Sequence, residues 1–97
     1  MKSRLTSAAW RDLDDIGDWI ARSDPDRAIV LTGELLDKAE ELGATAFHYP
    51  LIDASGRFQL RKRSHHGYVI LFRIIGDVEV MRIVHERRDY PRLIQDL

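Results

Sequence analysis

The sequence predicts an α+β fold: an N-terminal strand, an antiparallel helical hairpin, a three-strand antiparallel meander and a short C-terminal helix. Apolar residues recur every three or four positions up to residue 43, which is the period of an amphipathic helix. From residue 58 onward they alternate or run together in β-branched stretches separated by turn residues, as in strands. The length of 97 residues is too short for two separate cores and predicts a single domain.

The composition excludes several kinds of site. The chain has no cysteine, which rules out disulfides, thiolate zinc sites and cysteine nucleophiles. Its hydrophobic content of 44% and charged content of 32% are those of a globular protein. No apolar run approaches the ~20 residues that span a bilayer. Residues 1–5 lack the apolar segment of a secretory signal, so we expect a cytoplasmic protein without membrane contact.

Charge is unevenly distributed along the chain. Residues 1–48 carry six Lys/Arg against ten Asp/Glu, whereas residues 49–97 carry nine against six. The net charge of −1 therefore hides a basic second half. Such a half suggests a surface able to meet an acidic protein or a nucleic acid, with an ordinary solvated surface as the alternative.

The first half of the sequence predicts a strand and two capped helices. Residues 2–5 form a short polar–apolar stretch that predicts an edge strand. Thr6 offers a hydroxyl N-cap for a helix over about residues 7–22, whose apolar stripe has spacings of four, three and four. Asp24, followed by a proline, is the N-cap of a second helix, and Gly43 is a natural C′ residue for it. The short linker between the helices predicts an antiparallel hairpin.

The second half predicts a loop, three strands and a terminal helix. Residues 44–57 have no period and contain a proline and a glycine, which predicts a connecting loop. The expected elements after it are residues 58–61 (strand), 64–67 (turn), 68–75 (strand), 76–77 (two-residue hairpin) and 78–85 (strand). Leu93, Ile94 and Leu97 then predict a short C-terminal helix.

A two-residue hairpin fixes the register of the last two strands, from Ile75 opposite Val78 to Tyr68 opposite His85. Because side chains alternate between the faces of a sheet, one face is expected to form the floor beneath the helical hairpin. The residues predicted for that floor are Ile70, Phe72, Met81 and Ile83.

The opposite face of the sheet is also apolar in this register. Its predicted residues are Val69, Leu71, Ile75, Val78, Val80 and Val84, with Arg73 and Arg82 among them. One helical hairpin covers only one face of a small sheet, so this face is expected to need the terminal tail, another chain or both. Burial of even ~400 Å² there would contribute on the order of 10 kcal/mol before ordering costs. The pattern therefore predicts a binding module.

Three motifs in order resemble the RelE/ParE toxin superfamily, and within it the ParE-like toxins. Residues 5–9 (LTSAA) and 12–16 (DLDDI) are similar to the opening of ParE, residues 67–73 (GYVILFR) to the third strand of the family, and residues 81–89 (MRIVHERRD) to its closing strand. With the order of the predicted elements, the resemblance covers essentially the whole chain. It implies the same fold and the toxin of a two-gene toxin–antitoxin module.

The resemblance also implies partners. Such a toxin is held inactive, in a toxin–antitoxin hetero-oligomer, by a cognate ParD-like antitoxin whose disordered tail folds across it. ParE members inhibit DNA gyrase by stabilising its cleaved-DNA state, whereas RelE members are ribosome-dependent messenger RNA endoribonucleases. The shared fold does not choose between these targets. We expect no cofactor and no direct sequence-specific binding of nucleic acid.

The residues favour the ParE alternative over the nuclease. RelE-type nucleases have an Arg after the Gly-Tyr of the third strand and a Tyr near the C-terminus, where this sequence has Val69 and Leu93. Neither side chain can transfer a proton or stabilise a phosphate. Arg87 matches a basic position of the nuclease pattern, and Lys62 is aligned with another. We predict a gyrase inhibitor without catalytic residues; a RelE-type nuclease and an inactive partner of the antitoxin are the alternatives.

Two sets of contact residues are predicted. Arginines among apolar residues suit the acidic, apolar tail of an antitoxin, and so the second sheet face is assigned to it. The predicted antitoxin contacts are Val69, Leu71, Arg73, Val80, Arg82 and Val84. The predicted target-binding residues are Arg61, Arg63, His85, Arg87 and Arg88.

The histidines are interpreted as structural. Tyr68 and His85 face each other in the predicted register, which indicates a cross-strand aromatic pair rather than the acid/base pair of some nuclease relatives. His65 and His66 are adjacent, so their side chains should point apart, and with no accompanying carboxylate motif no metal site is predicted. Residues 61–63 (RKR) are either a patch for an acidic partner or a solvated hairpin end.

Overall fold

The computed structural model describes residues 1–52, 58–88 and 90–95, and it confirms the predicted α+β fold. The elements are β1 (Ser3–Leu5), α1 (Ser7–Ala21), α2 (Pro25–Thr45), a 3₁₀ turn (Ala46–His48), β2 (Arg61–His65), β3 (Tyr68–Ile75), β4 (Asp77–His85) and α3 (Tyr90–Gln95). The sheet has the order β1–β4–β3–β2, with β1 parallel to β4 and the other pairs antiparallel. Within the described ranges, no helix combines the length and apolar character needed to cross a membrane.

Both long helices begin where a side chain satisfies a backbone N–H group. Thr6 Oγ1 accepts a hydrogen bond from the Ala9 N–H at 3.1 Å and donates one to the Met81 carbonyl at 2.9 Å, so this cap also ties α1 to β4. Asp24 Oδ1 accepts a hydrogen bond from the Arg27 N–H at 3.0 Å. Both predicted N-caps are confirmed, and each kind of cap contributes about 1 kcal/mol.

The prediction that Gly43 follows the end of the second helix is wrong. Helix α2 continues to Thr45, and Gly43 is buried inside it. A Cβ atom at this position would lie 2.3 Å from the carbonyl oxygen of Met1. The missing side chain therefore lets the segment that leads into β1 lie directly against α2, so this glycine allows a close approach rather than a helix end.

The first strand of the meander and its turn differ from the prediction. Strand β2 spans Arg61–His65 rather than residues 58–61, because the turn that follows needs only His66 and Gly67. Both turn residues have positive φ, 45° and 85°, as a type I′ hairpin turn requires. The basic residues 61–63 consequently lie within a strand and not at a solvated hairpin end.

The predicted register of β3 and β4 is correct over only part of the hairpin. It holds for the four pairs that involve residues 68–71. Phe72 then pairs with Val80, so Met81 is an extra residue in β4, a β-bulge. The loop is correspondingly reduced to Gly76, whose φ of 68° suits a glycine.

The bulge changes which side chains face the helices. Val78 and Val80 were predicted on the second face, yet both are fully buried in the core beneath the helical hairpin. Met81, predicted for that floor, is not part of this core. The reason is that a one-residue shift reverses the face of every side chain beyond it. The buried core residues are Ala9, Leu13, Leu31, Leu35, Ala39, Leu42, Ala46, Ile70, Phe72, Val78, Val80 and Ile83.

The reverse face, meaning the face of the sheet turned away from the helical hairpin, is covered by the chain itself. Val69, Leu71 and Val84 are buried there, at most 3% exposed, and Ile52 and Leu93 pack against them. Leu93 belongs to α3, so the terminal tail is one of the covers that this face was expected to need. The need for another chain, inferred from this face, is not supported for these three residues.

We expect Gly43→Ala to destabilise the fold by about 1–3 kcal/mol, because the methyl group would overlap the Met1 carbonyl oxygen and force the segment before β1 away from α2. Gly33→Ala is the matched control, since nothing lies within 4 Å of a Cβ at this exposed helical position. That substitution should stabilise the protein by about 0.5–1 kcal/mol. Urea titration followed by circular dichroism measures both, and equal effects would contradict the close approach.

Candidate functional site

Asp12 is a buried carboxylate that joins α1 to β4. Its Oδ2 accepts hydrogen bonds from Arg82 Nε at 2.7 Å and from the Ile83 N–H at 2.9 Å, and its Oδ1 accepts one from Arg82 Nη2 at 2.9 Å. Strand β1 pairs with β4 only as far as Val80, so the Asp12 carboxylate takes the place of a strand beyond it. The hydrogen-bonded carboxylate raises the pKa of Arg82 above its ordinary value.

The sequence analysis did not identify this ion pair. The signal was present in the spacing. Asp12 lies three residues after Ala9 and four before Ile16, and both of these belong to the apolar stripe. A carboxylate on the buried side of a helix needs a cationic partner. In the strands of the meander, an arginine flanked by apolar residues is a candidate for that partner.

Arg73 is also paired within the chain. Its Nε and Nη2 donate to Glu79 Oε1 at 3.0 Å and 2.8 Å, and Arg4 Nη2 lies 3.2 Å from Glu79 Oε2. The three side chains occupy neighbouring positions across β1, β4 and β3. One carboxylate between two guanidinium groups leaves an excess of positive charge on this row, and the Arg73 side chain is 25% exposed.

The six predicted antitoxin contacts do not form one exposed surface. Val80 lies in the core beneath the helices, and Arg82 is held by Asp12. Three others are the buried apolar residues of the reverse face. Arg73 keeps part of its side chain exposed beside them. The role of these six residues in antitoxin binding stays a prediction.

Two arginines of the predicted target-binding set attach β2 to α2 and to the segment that follows it. The Arg61 guanidinium donates to the Tyr49 carbonyl, which follows the helix. Arg63 Nη1 donates to the Lys38 carbonyl at 3.0 Å and to Glu41 Oε2 at 2.9 Å. The hydrogen bond from Arg63 lowers the pKa of Glu41. Both arginines therefore have a packing role at this place in the fold.

The other three predicted target-binding residues lie at the end of β4. The rings of Tyr68 and His85 meet edge to face, with centroids 5.4 Å apart and planes at 79°, which confirms the predicted cross-strand aromatic pair. His85 Nδ1 accepts a hydrogen bond from the Arg87 N–H at 3.1 Å. Arg87 and Arg88 are exposed in the segment that follows the strand.

An open cavity of about 330 Å³ lies beside the aromatic pair, between α1 and the end of the sheet. Its lining includes Asp15, Trp19, Tyr68, His85 and Arg88. Trp19 is 66% exposed, which makes it the largest apolar surface at this opening. The structure thus divides the predicted target-binding set into two arginines beside α2 and three residues at the end of β4.

The two positions at which this sequence departs from the RelE nuclease pattern both belong to the apolar cluster of the reverse face. Val69 is 2% exposed on the reverse face, and Leu93 packs against the same cluster. Arg87 is exposed, and Lys62 is half-buried in β2. A general base, a phosphate-binding cation and a general acid do not come together at the nuclease positions.

The prediction that His65 and His66 point apart is wrong. Their ring centroids are 4.4 Å apart with planes at 87°, because the positive φ of His66 interrupts the alternation of a strand. Glu34 of α2 lies beside them, so an accompanying carboxylate is present after all. The possible ligand atoms of the three side chains all lie within 4.8 Å of one another.

Comparisons with known proteins are consistent with this fold. The model of a family described as ParE toxin of type II toxin–antitoxin system, parDE, matches residues 4–90. A curated protein of Sinorhizobium fredii (strain NBRC 101917 / NGR234), named "Putative toxin Y4kP", is 30% identical over 97 residues and the match covers 94% of each chain. A solved structure titled "Chromosomal ParDE TA system from P. aeruginosa" is similar with a TM-score of 0.75 and 20% identity, over 88% of this chain and 95% of that one.

Asp12→Ala should destabilise the fold by about 3 kcal/mol, because it leaves the partly buried Arg82 guanidinium and the Ile83 N–H without their acceptor. Asp15→Ala, an exposed carboxylate on the same helix, is the matched control and should change stability by less than about 0.5 kcal/mol. Chemical denaturation of both variants measures the difference. A loss at Asp12 no larger than at Asp15 would refute the structural role of the ion pair.

Proposed function

This chain belongs to the ParE toxin family of type II toxin–antitoxin systems, and from that membership we propose that it inhibits DNA gyrase by binding and is neutralised by a cognate, ParD-like antitoxin. The proposed mechanism is non-enzymatic. The toxin holds its target in an unproductive state through contacts alone, and the antitoxin prevents those contacts in a toxin–antitoxin hetero-oligomer.

A single observation carries the choice of mechanism. The residue after Gly67 and Tyr68, where RelE-type nucleases have an arginine, is Val69, and its side chain is 2% exposed beneath the chain's own segments. Cleavage of RNA through the 2′-hydroxyl needs a cation at the phosphate and groups that move protons. A buried valine supplies neither, which supports a toxin that binds its target without cutting RNA.

We place the gyrase contact at the end of β4. Arg87 and Arg88 are exposed there, and Arg88 lines the same cavity as the exposed indole of Trp19, so cationic and apolar surface are available together. Arginine and tryptophan are the side chains most often responsible for binding energy in protein interfaces. Arg61 and Arg63, in contrast, hydrogen-bond to the segment around the end of α2, and we assign them to the fold rather than to first contact with the target.

A RelE-type endoribonuclease is the second candidate, on one specific observation. Tyr68, His85 and Arg88 line the same cavity, and these residue types include a proton donor or acceptor and a phosphate-binding cation. The aromatic contact of Tyr68 with His85 and the hydrogen bond at His85 Nδ1 are those of a packed pair, which supports the binding mechanism instead.

We propose that the antitoxin tail binds over the reverse face, with Arg73 as its accessible charged contact. The row of Arg4, Glu79 and Arg73 has more positive than negative charge, which suits an acidic tail. Arg82 is a weaker candidate because Asp12 already satisfies its guanidinium. The buried residues Val69, Leu71, Val80 and Val84 then act by shaping the sheet beneath that contact.

Purified gyrase with relaxed plasmid DNA tests the proposed target. The toxin should inhibit supercoiling and accumulate cleaved DNA, and the double substitution Arg87→Ala, Arg88→Ala should weaken inhibition about tenfold or more, because exposed cations are lost at the contact. Arg11→Ala removes an exposed arginine that does not line the cavity and should leave inhibition unchanged.

A purified translation reaction programmed with messenger RNA tests the second candidate. The proposal expects intact message at every toxin concentration that inhibits gyrase. Cleavage at the ribosome that disappears in a His85→Ala variant would establish the nuclease and overturn the gyrase proposal.

Arg73→Ala should weaken binding of the antitoxin encoded beside the toxin gene about tenfold, a loss of about 1.4 kcal/mol, because the acidic tail loses a cation. Arg11→Ala serves as the control for loss of one positive charge. Isothermal titration calorimetry measures both affinities, with circular dichroism to verify the fold. Unchanged affinity in the Arg73 variant would show that the antitoxin does not bind at the row of Arg4, Glu79 and Arg73.

A further inference from the structure

The turn between β2 and β3 carries a cluster of side chains that the proposed gyrase and antitoxin contacts do not include. His65 ends β2, His66 is the first turn residue, and Glu34 reaches them from α2. Their possible ligand atoms lie within 4.8 Å of one another, and His65 Nε2 is 3.7 Å from Glu34 Oε2. We propose that these three residues form a binding site for a divalent transition-metal ion, with Zn²⁺ as its natural occupant.

The state of His65 is the main support for the site. Among the described residues, its Nε2 is a buried side-chain nitrogen without a hydrogen-bond partner. The side chain as a whole is 16% exposed. A buried polar atom without a partner costs free energy, and 3.7 Å is too long for a hydrogen bond to Glu34. A metal ion bound by the Nε2 lone pair would satisfy this atom and attract the carboxylate at the same time.

The backbone holds the two imidazoles on one side of the turn. His66 has a φ of 45°, and Gly67 follows with 85°, so the type I′ turn rotates the second ring against the first. Two ligands on one tetrahedral Zn²⁺ are about 3.3 Å apart. The widest separation of ligand atoms therefore has to close by up to about 1.5 Å. Glu34 and His66 can supply this movement through rotamer changes because both are partly or fully exposed, while His65 stays fixed.

The donor set determines the class of ion. Two imidazole nitrogens and one carboxylate oxygen suit Zn²⁺ and its neighbours Ni²⁺, Co²⁺ and Cu²⁺, whereas Mg²⁺ and Ca²⁺ prefer oxygen ligands alone. Three protein ligands leave one coordination position for water. Binding would join the β2–β3 turn to α2, two segments that are far apart in sequence, and would thereby stabilise the native state.

Titration of the chelator-treated full chain with ZnCl₂ tests the site. Isothermal titration calorimetry should show one Zn²⁺ per chain, and excess Zn²⁺ should raise Tm by several degrees, because it binds the native state. Co²⁺ in place of Zn²⁺ should give the visible absorption bands of a four-coordinate ion. Replacement of a histidine that has only a structural role would leave these bands unchanged. His65→Gln and Glu34→Gln should each weaken Zn²⁺ binding at least tenfold and remove those bands.

The chain provides its own controls in His48 and His85, which lie outside the cluster. His48→Gln and His85→Gln should bind Zn²⁺ as the parent chain does. Glu34→Gln guards against misinterpretation of a His65 variant that fails to fold, since Glu34 is partly exposed on a helix. The proposal is overturned if both cluster variants bind Zn²⁺ like the parent chain, if binding is lost with His48 or His85 instead, or if Zn²⁺ causes neither one-to-one binding nor a rise in Tm.

Discussion

The arrangement of helices on the sheet depends on one buried carboxylate. Asp12 lies where β1 has ended and β4 continues, and it accepts hydrogen bonds from both a side chain and the backbone of that strand. A buried charge is costly unless it is paired and fully hydrogen-bonded, and Arg82 with the Ile83 N–H meets both conditions. Helix α1 is thereby held at a fixed position along β4. The core beneath the helices and the cavity beside His85 both include residues of α1, so their shape depends on where this helix lies.

The β-bulge at Met81 determines what remains for partners. By turning two valines toward the helices, it enlarges the main core and leaves the reverse face with a smaller apolar cluster that α3 and Ile52 cover. What this face offers to another molecule is therefore mostly charge, in the row that includes Arg73, with apolar surface beneath it. The end of β4 offers a more apolar surface, because the exposed indole of Trp19 lines the same cavity as Arg88. The molecule thus presents two surfaces of different chemistry.

The parts of the fold that depend on local sequence could be predicted, and the parts that depend on distant contacts could not. Thr6 caps a helix through a residue three positions away, so its role is visible in the sequence. The position of the extra residue, Met81, depends on how the strand packs against the helices. The alternation of apolar residues in the sequence carries no information about that packing. The positive φ of His66 was equally hidden, because a non-glycine residue rarely takes that conformation. At the candidate site, Arg82 was recognised as unusual, but its partner Asp12 lies 70 residues away and was missed.

The capping of β4 by α1 has a consequence for self-association. An exposed strand edge is a template on which a second copy can add its own strand, and small sheets with long free edges aggregate through it. Here the carbonyls of Val80 and Met81 are occupied by Thr6, and the Ile83 N–H is occupied by a carboxylate. A second copy has to break these three hydrogen bonds before one of its strands can pair with this part of β4. The charged side chain that anchors the helix therefore also closes this part of the β4 edge to a second copy.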